Sequence, residues 1–230
     1  MTLRISEIFY SLQGEGRLAG VPSVFIRLAG CDLRCLWCDT PYALRAEQGQ
    51  ALSLEQIMDQ ISAFDCSHIV VTGGEPLLAP ELPTLLQELK NRNKHITLET
   101  SATQYRPVIA DLVSISPKLA HSIPHTGPYA EFAPIHKTRR LNLEAIQHFM
   151  DHHDYQFKFV VGSRADLEEV DQILAKLRNV NRDRIMLMPQ ARTRQQHRTA
   201  GPLVAQLCLE KDFRYCPRLH VELWGNRRGK

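Results

Sequence analysis

Short apolar, β-branched runs recur along the chain at 23–28, 68–72, 95–99, 112–116, 156–161 and 185–189, each bounded by polar or turn residues. Runs this short, with little polar alternation, predict strands buried on both faces of a parallel sheet. Apolar positions at helical spacing fall between or after them, at 54–64, 83–92, 106–111, 143–151, 166–178 and 203–211. Leu167, Val170, Ile173, Leu174 and Leu177 show that period most plainly. Ser53 with Gln56 three residues later predicts a capping box ahead of the first helix. Six strand-then-helix units predict an α/β fold, a partial (β/α)6 TIM-like barrel, with a doubly wound open sheet as the alternative. The barrel is favoured because distinctive polar residues follow several different strands, where barrel active sites gather. No linker or composition break divides residues 1–230, so one domain is expected. The Pro- and His-rich stretch 119–138 reads as an excursion between units. In 218–224, Leu219, Val221 and Leu223 alternate like an added strand.

Composition narrows the classes without choosing one. The 230 residues are 43% hydrophobic and 23% charged, with a net charge of +3, which is too small to argue for a nucleic-acid partner. The densest basic cluster, Arg192, Arg194, His197 and Arg198, reads as a solvated, mobile connection or lid. No stretch approaches a membrane span, and the N-terminus lacks the apolar core of a signal peptide. A cytoplasmic setting, with reduced thiols, is the expectation. Six cysteines are then three ligands plus Cys66, Cys208 and Cys216 as packing residues, with no disulfide framework.

The three candidate ligands lie in Cys31-Asp32-Leu33-Arg34-Cys35-Leu36-Trp37-Cys38, directly after the first predicted strand. Three thiolates on one tight loop can each hold one iron of a cubane cluster and leave the fourth iron open. Electron-transfer clusters ligate all four, so this spacing points to a cluster that does chemistry. The alternative is structural zinc, which closes its shell with four ligands; no second cysteine pair has zinc spacing here. One strand later, Thr72-Gly73-Gly74-Glu75-Pro76 removes two side chains where a ligand could approach the backbone.

The three cysteines together with Gly-Gly-Glu-Pro resemble the radical S-adenosylmethionine (SAM) superfamily. Within it the chain is most similar to the 7-carboxy-7-deazaguanine synthase family. The marks are Ser11-Leu12-Gln13-Gly14-Glu15-Gly16, Trp37-Cys38-Asp39-Thr40, Leu98-Glu99-Thr100-Ser101, Ser114-Ile115-Ser116-Pro117-Lys118 and the closing Pro217-Arg218-Leu219-His220-Val221-Glu222-Leu223-Trp224-Gly225-Asn226. The resemblance implies a lyase that converts 6-carboxy-5,6,7,8-tetrahydropterin into 7-carboxy-7-deazaguanine with loss of ammonia, on the way to queuosine. It implies a [4Fe-4S] cluster on Cys31, Cys35 and Cys38, SAM as a reusable radical source, Mg2+ on the Thr40 hydroxyl, and a homodimer. SAM contacts carry over to Trp37, Cys38, Asp39, Gly74, Ser116, Pro117, Lys118, Leu187, Met188, Pro189 and Gln190. Substrate contacts carry over to Leu12, Gln13, Gly14, Arg27 and Thr72, with His220 as a further contact. A donor such as flavodoxin would supply one electron, and the resulting adenosyl radical would take hydrogen from C6 of the pterin.

The residue chemistry is consistent with those roles. A pterin edge offers donors and acceptors together, which the Gln13 amide can match, and Glu15 could accept from its guanidine-like part. Arg27 sits on an apolar strand, where a guanidinium needs an anion; the substrate carboxylate would serve, or an internal partner such as Glu99. Thr40 could equally cap a turn, and Lys118 could be a surface lysine in place of a partner for SAM's carboxylate. His121, His125, His136, His148, His152 and His153 read as surface or loop residues. The rival functions are a glycyl-radical activase and a non-enzymatic iron–sulfur carrier.

Overall fold

The computed structural model describes residues 1–225 and 227–230, so Asn226, the end of the closing motif, lies outside the described residues. Nine strands form one sheet: β1 (Thr2–Leu12), β2 (Pro22–Leu28), β3 (Gln50–Ser53), β4 (His68–Gly73), β5 (His95–Thr100), β6 (Leu112–Ile115), β7 (Tyr155–Val161), β8 (Ile185–Pro189) and β9 (Arg214–Tyr215). Their order is β3-β1-β2-β4-β5-β6-β7-β8-β9. From β2 to β9 every pair is parallel, while β1 runs antiparallel to β2 and to β3. The sheet does not close, so the barrel is partial, as the sequence pattern predicts.

Around it lie α1 (Leu54–Ser62), α2 (Leu82–Asn91), α3 (Ala133–Arg139), α4 (Leu143–His152), α5 (Arg164–Leu174), α6 (Arg194–Lys211) and α7 (Leu219–Trp224). The predicted capping box is present: Ser53 Oγ accepts from Gln56 N–H, and Gln56 Oε1 accepts from Ser53 N–H. The main core joins Val71, Leu98, Phe157 and Phe159 of the strands to Leu85, Ile146, Phe149 and Val170 of the helices, all fully buried. Each such side chain contributes roughly 1.5–3 kcal/mol on leaving water. Because side chains alternate across a strand, the residues between these apolar ones turn to the other face. Arg27 pairs with Thr72, Glu99 with Ser114, and Ser114 with Gln156 in register, so polar groups line up on the inner face.

Several segments depart from the sequence pattern. Residues 106–111 are not helical. Pro107 follows Arg106, and the Asp111 carboxylate accepts from Ile96 N–H and Lys90, which ties the segment across as an extended connection. The 192–198 stretch is no loose loop: Thr193 caps α6, His197 is buried, and its Nδ1 lies 2.7 Å from Glu222 Oε1. Gly201-Pro202 inside α6 hides the helix from a propensity reading. The predicted strand at 218–224 is instead α7, in which Val221 is buried and Leu223 exposed. Strand β1 went unread because a register shift between Ile5 and Glu7 breaks its alternation.

Candidate functional site

A cavity of about 960 Å³ opens at the carboxyl ends of the parallel strands. One wall is the loop that follows β2, and Cys31, Cys35 and Cys38 all line the cavity. Backbone bonds fix this loop: Cys31 N–H donates to Leu44 C=O (3.1 Å) and Leu36 N–H to Ser122 C=O (2.8 Å). His136 of α3 adds a clamp. Its Nδ1 accepts from Arg34 N–H (3.1 Å) and its Nε2 lies 2.9 Å from Ser122 Oγ, whose proton goes to Leu119 C=O. His136 is therefore the neutral tautomer with hydrogen on Nε2, and burial pushes its pKa down to about 4. Of the six histidines expected at the surface, His125, His148 and His152 are exposed, His121 and His153 are half-buried, and His136 is wholly buried. No local pattern marks His136, because its partners Arg34 and Ser122 lie 102 and 14 residues away in the chain.

The glycines after β4 make room for the chain itself. A Cβ on Gly74 would fall 2.3 Å from Gly30 O, and one on Gly73 2.5 Å from Leu28 O. Their bareness lets the cysteine loop lie against β4: Gly74 N–H donates to Leu28 C=O and Glu75 N–H to Gly30 C=O. Both glycines also line the cavity, so their bareness serves this packing while their backbone borders the open space. Glu75 is buried beneath, accepting from Thr100 Oγ1, Ser101 Oγ, and Ser101 and Leu77 N–H.

The floor is a network of buried charges. Lys158 of β7 donates to Glu15 at 2.5 Å and lies 3.6 Å from Glu99. Arg218 donates through Nε to Glu15 (3.0 Å) and through its two amino groups to Asp39 and to Ala191 C=O. Burial would raise the Glu15 carboxyl, but Lys158 and Arg218 outweigh it and hold Glu15 well below the usual carboxylate range. Asp39 is likewise lowered by Arg218 against the effect of burial. Gln13 Nε2 donates to Glu99 (3.2 Å), Thr72 Oγ1 donates to the other Glu99 oxygen (3.0 Å), and Gln13 Oε1 accepts from Glu15 N–H. Arg27 pairs through Nε with Glu7 at 2.7 Å, not with Glu99, and Tyr42 also donates to Glu7. Among the described residues the two Arg27 amino groups make no hydrogen bond, and the side chain lines the cavity. Lys158, Arg218, Glu7 and Tyr42 were missed from the sequence. A lone lysine in the apolar run Phe157-Lys158-Phe159 was the available signal.

The chain's last helix is docked onto this floor. Gly16 N–H donates to Cys216 Sγ and Leu219 N–H to Gly14 C=O. A Cβ on Gly14 would meet His220 Nδ1 at 2.0 Å, so position 14 must be bare for His220 to sit there. Leu12, Gln13, Gly14, Glu15, Arg27, Trp37, Asp39, Thr40, Thr72, Gly74, Ser116, Lys118, Met188, Pro189, Gln190 and His220 all line the same cavity. Pro117 and Leu187 are buried outside its lining, Leu187 in the main core.

The residues present fit the groups that the cysteine spacing calls for. All six cysteines are free, and burial pushes the Cys35 thiol up to about 12 and raises Cys31 and Cys38, so these are neutral thiols until a metal draws off their protons. Among the described residues no three Cys, His, Asp or Glu side chains converge as a single-ion site requires. A cubane spreads its ligands over separate irons. Trp37 Nε1 is buried without a partner among the described residues. The Thr40 hydroxyl caps no helix and stands at the cavity, 3.9 Å from Cys38 Sγ.

Comparison with known proteins places this geometry. The Radical SAM superfamily profile matches residues 25–193. A 7-carboxy-7-deazaguanine synthase of Halobacterium salinarum is 40% identical over 97% of this chain and 91% of its own. That of Rhodopirellula baltica is 38% identical over 99% of this chain and 89% of its own. The crystal structure of QueE from Escherichia coli superimposes with a TM-score of 0.74 at 27% identity, covering 96% of this chain and 95% of that one. A three-thiol wall beside a polar floor, on a scaffold shared along almost its whole length, shows that the chain belongs to the radical SAM superfamily and, within it, to the 7-carboxy-7-deazaguanine synthase family.

Proposed function

We propose that this chain carries out the radical SAM-dependent, Mg2+-assisted ring contraction of 6-carboxy-5,6,7,8-tetrahydropterin to 7-carboxy-7-deazaguanine, releasing ammonia, as a carbon–nitrogen lyase in queuosine biosynthesis. The observation that carries the reading is the opening of the cysteine loop and the 13–15 loop on one cavity. Cys31, Cys35 and Cys38 would hold a [4Fe-4S] cluster, which with SAM on its open iron supplies the radical that starts the chemistry.

The chain's own residues position, orient and shield. Trp37, Cys38, Asp39, Gly74, Ser116, Lys118, Met188, Pro189 and Gln190 would form the SAM seat, with Pro117 and Leu187 contributing main chain only. Arg27 would direct its amino groups at the substrate carboxylate, keeping Nε on Glu7. Thr40 would offer its oxygen to Mg2+, which favours hard ligands and keeps several from substrate and water. Gln13 and Glu99 would read the pterin edge, with Thr72 fixing Glu99. Glu15, kept ionised by Lys158 and Arg218, would accept from a pterin amino group. Leu12, Gly14 and His220 would close over the ring. Because these groups are already oriented by one another, little reorganisation accompanies binding.

The wider expectations are one domain over residues 1–230, a homodimer, a cytoplasmic setting and a one-electron donor such as flavodoxin. Among the described residues no helix is long and apolar enough to cross a membrane. Anaerobic reconstitution followed by SAM, dithionite and the carboxypterin tests the function. Deazaguanine product should form with SAM largely recovered. SAM cleavage indifferent to the pterin, with no product, would overturn the reading.

A further inference from the structure

Glu7 of β1 and Arg27 of β2 are direct cross-strand partners in the antiparallel ladder, which puts both side chains on one face. Glu7 Oε1 is used twice: it accepts from Arg27 Nε at 2.7 Å and from the Tyr42 hydroxyl at 2.9 Å. Burial pushes that hydroxyl up to about 12, so it stays a donor. Glu7 Oε2 has one partner among the described residues, Arg228 Nε at 3.2 Å. Arg228 also donates through an amino group to Ser6 C=O (2.9 Å), and its guanidinium lies over the Tyr42 ring at 4.5 Å. Residues 227–230 thereby come back to β1 and line the large cavity beside Glu7 and Arg27. Resting on the synthase reading, we propose that Arg228 is a positioning residue for the substrate carboxylate: by occupying Glu7 Oε2 it keeps Arg27 engaged through Nε alone, with both amino groups free.

A carboxylate with both oxygens free takes a guanidinium in a two-bond fork. Without Arg228, Glu7 can turn Oε2 onto an Arg27 amino group, and an incoming carboxylate must then displace it. With Arg228 in place, each Glu7 oxygen is committed. The cluster of Glu7, Arg27 and Arg228 also carries a net positive charge, which the substrate anion would neutralise. Packing fixes the rest of the aim: the Arg27 guanidinium lies 5.9 Å from the centre of the Phe9 ring, which stacks on Phe25 at 4.8 Å. Exposure separates the two roles. The side chains of Glu7 and Arg27 are 10% and 15% exposed, that of Arg228 58%. Replacing Glu7 would strand a buried guanidinium, whereas Arg228 can be removed without opening the core. Arg228 lies beyond the 217–226 motif that carries the family resemblance.

The test uses anaerobically reconstituted holoenzyme with SAM and Mg2+, and two ligands: the carboxypterin, and tetrahydropterin lacking the 6-carboxylate. Arg228→Ala should weaken carboxypterin binding and raise its KM about fivefold, with kcat and SAM affinity within about twofold of the parent. Tetrahydropterin affinity should not change, because that ligand has no carboxylate for Arg27 to hold. Arg228→Lys, whose ammonium can still hold Glu7 Oε2, should recover most of the loss. In an Arg27→Ala background the effect of Arg228→Ala should disappear, as expected for a residue that acts through Arg27. Equal weakening of both ligands would make residues 227–230 a cover over the ring and overturn the inference. So would a carboxypterin affinity untouched by Arg228→Ala. Failure of the synthase reading would look different, as the parent itself would then form no deazaguanine and show no preference for the carboxypterin.

Discussion

The cysteine loop and the charged floor border the same cavity but are built in opposite ways. In the loop, main-chain bonds and the His136 clamp do the holding, and the thiols have only long contacts, Leu33 N–H to Cys31 Sγ at 3.4 Å and Thr40 Oγ1 to Cys38 Sγ at 3.9 Å. On the floor nearly every polar group is already engaged by another: Glu15 by Lys158 and Arg218, Glu99 by Gln13 and Thr72, Asp39 by Arg218. One wall is thus arranged to accept a metal group into a preset frame. The other presents charges whose ionisation and direction are settled before a ligand arrives. The difference also sets what each wall can tolerate. Losing a thiol should empty its wall, whereas losing a floor charge should leave another charge buried and unpaired.

The largest effect is expected on the first wall. Cys35→Ala should abolish iron retention and turnover, while Cys208→Ala, a buried thiol of the main core, should leave iron content unchanged. Iron analysis after anaerobic reconstitution reads both; a Cys35→Ala protein that keeps its full iron complement would break the contrast. On the floor, Arg218→Met should destabilise the fold by about 3–5 kcal/mol, because Glu15 and Asp39 each lose a buried partner. Denaturant unfolding of the apoprotein measures it. Arg218→Lys should rescue little, since one ammonium cannot reach three acceptors in separate directions.

A smaller effect comes from the clamp. Burial holds the His136 pKa at about 4 against 6.5 in the unfolded chain, so between these values the unfolded state binds more protons. The contribution to stability is complete above pH 6.5 and is lost progressively as pH falls toward 4. His136→Asn should flatten apoprotein stability across that window. His121 and His220, also lowered by burial, should retain part of the slope. An unaltered slope would mean that His136 does not clamp the loop as a neutral ring.

The same contrast explains what could be read from the chain alone. The cysteine wall is a local pattern: its ligands fall within eight residues and its strand and cap signals are nearby, so spacing chemistry found it. The floor is assembled from Glu15, Lys158 and Arg218, partners 143 and 203 residues apart, and no local pattern encodes which charges meet. Strands β2 and β4 to β8 were legible because one face of each is continuously apolar. Lys158 and Glu99 sit on their other face, where alternation could have flagged them. Misread segments share a physical cause in competition from tertiary contacts. The alternation in α7 spans only three apolar positions, and docking of Leu219 onto Gly14 decides its conformation instead.

The most direct test of the account is whether the two walls can be separated by ligand. Equilibrium binding of SAM and of the carboxypterin should be measured on anaerobically loaded Gln13→Ala and Arg27→Ala proteins. SAM affinity should stay within about twofold of the parent, while pterin affinity falls by more than about tenfold as the carboxylate fork or the edge contact is lost. Parallel loss of both affinities, or a pterin affinity untouched by either substitution, would contradict it.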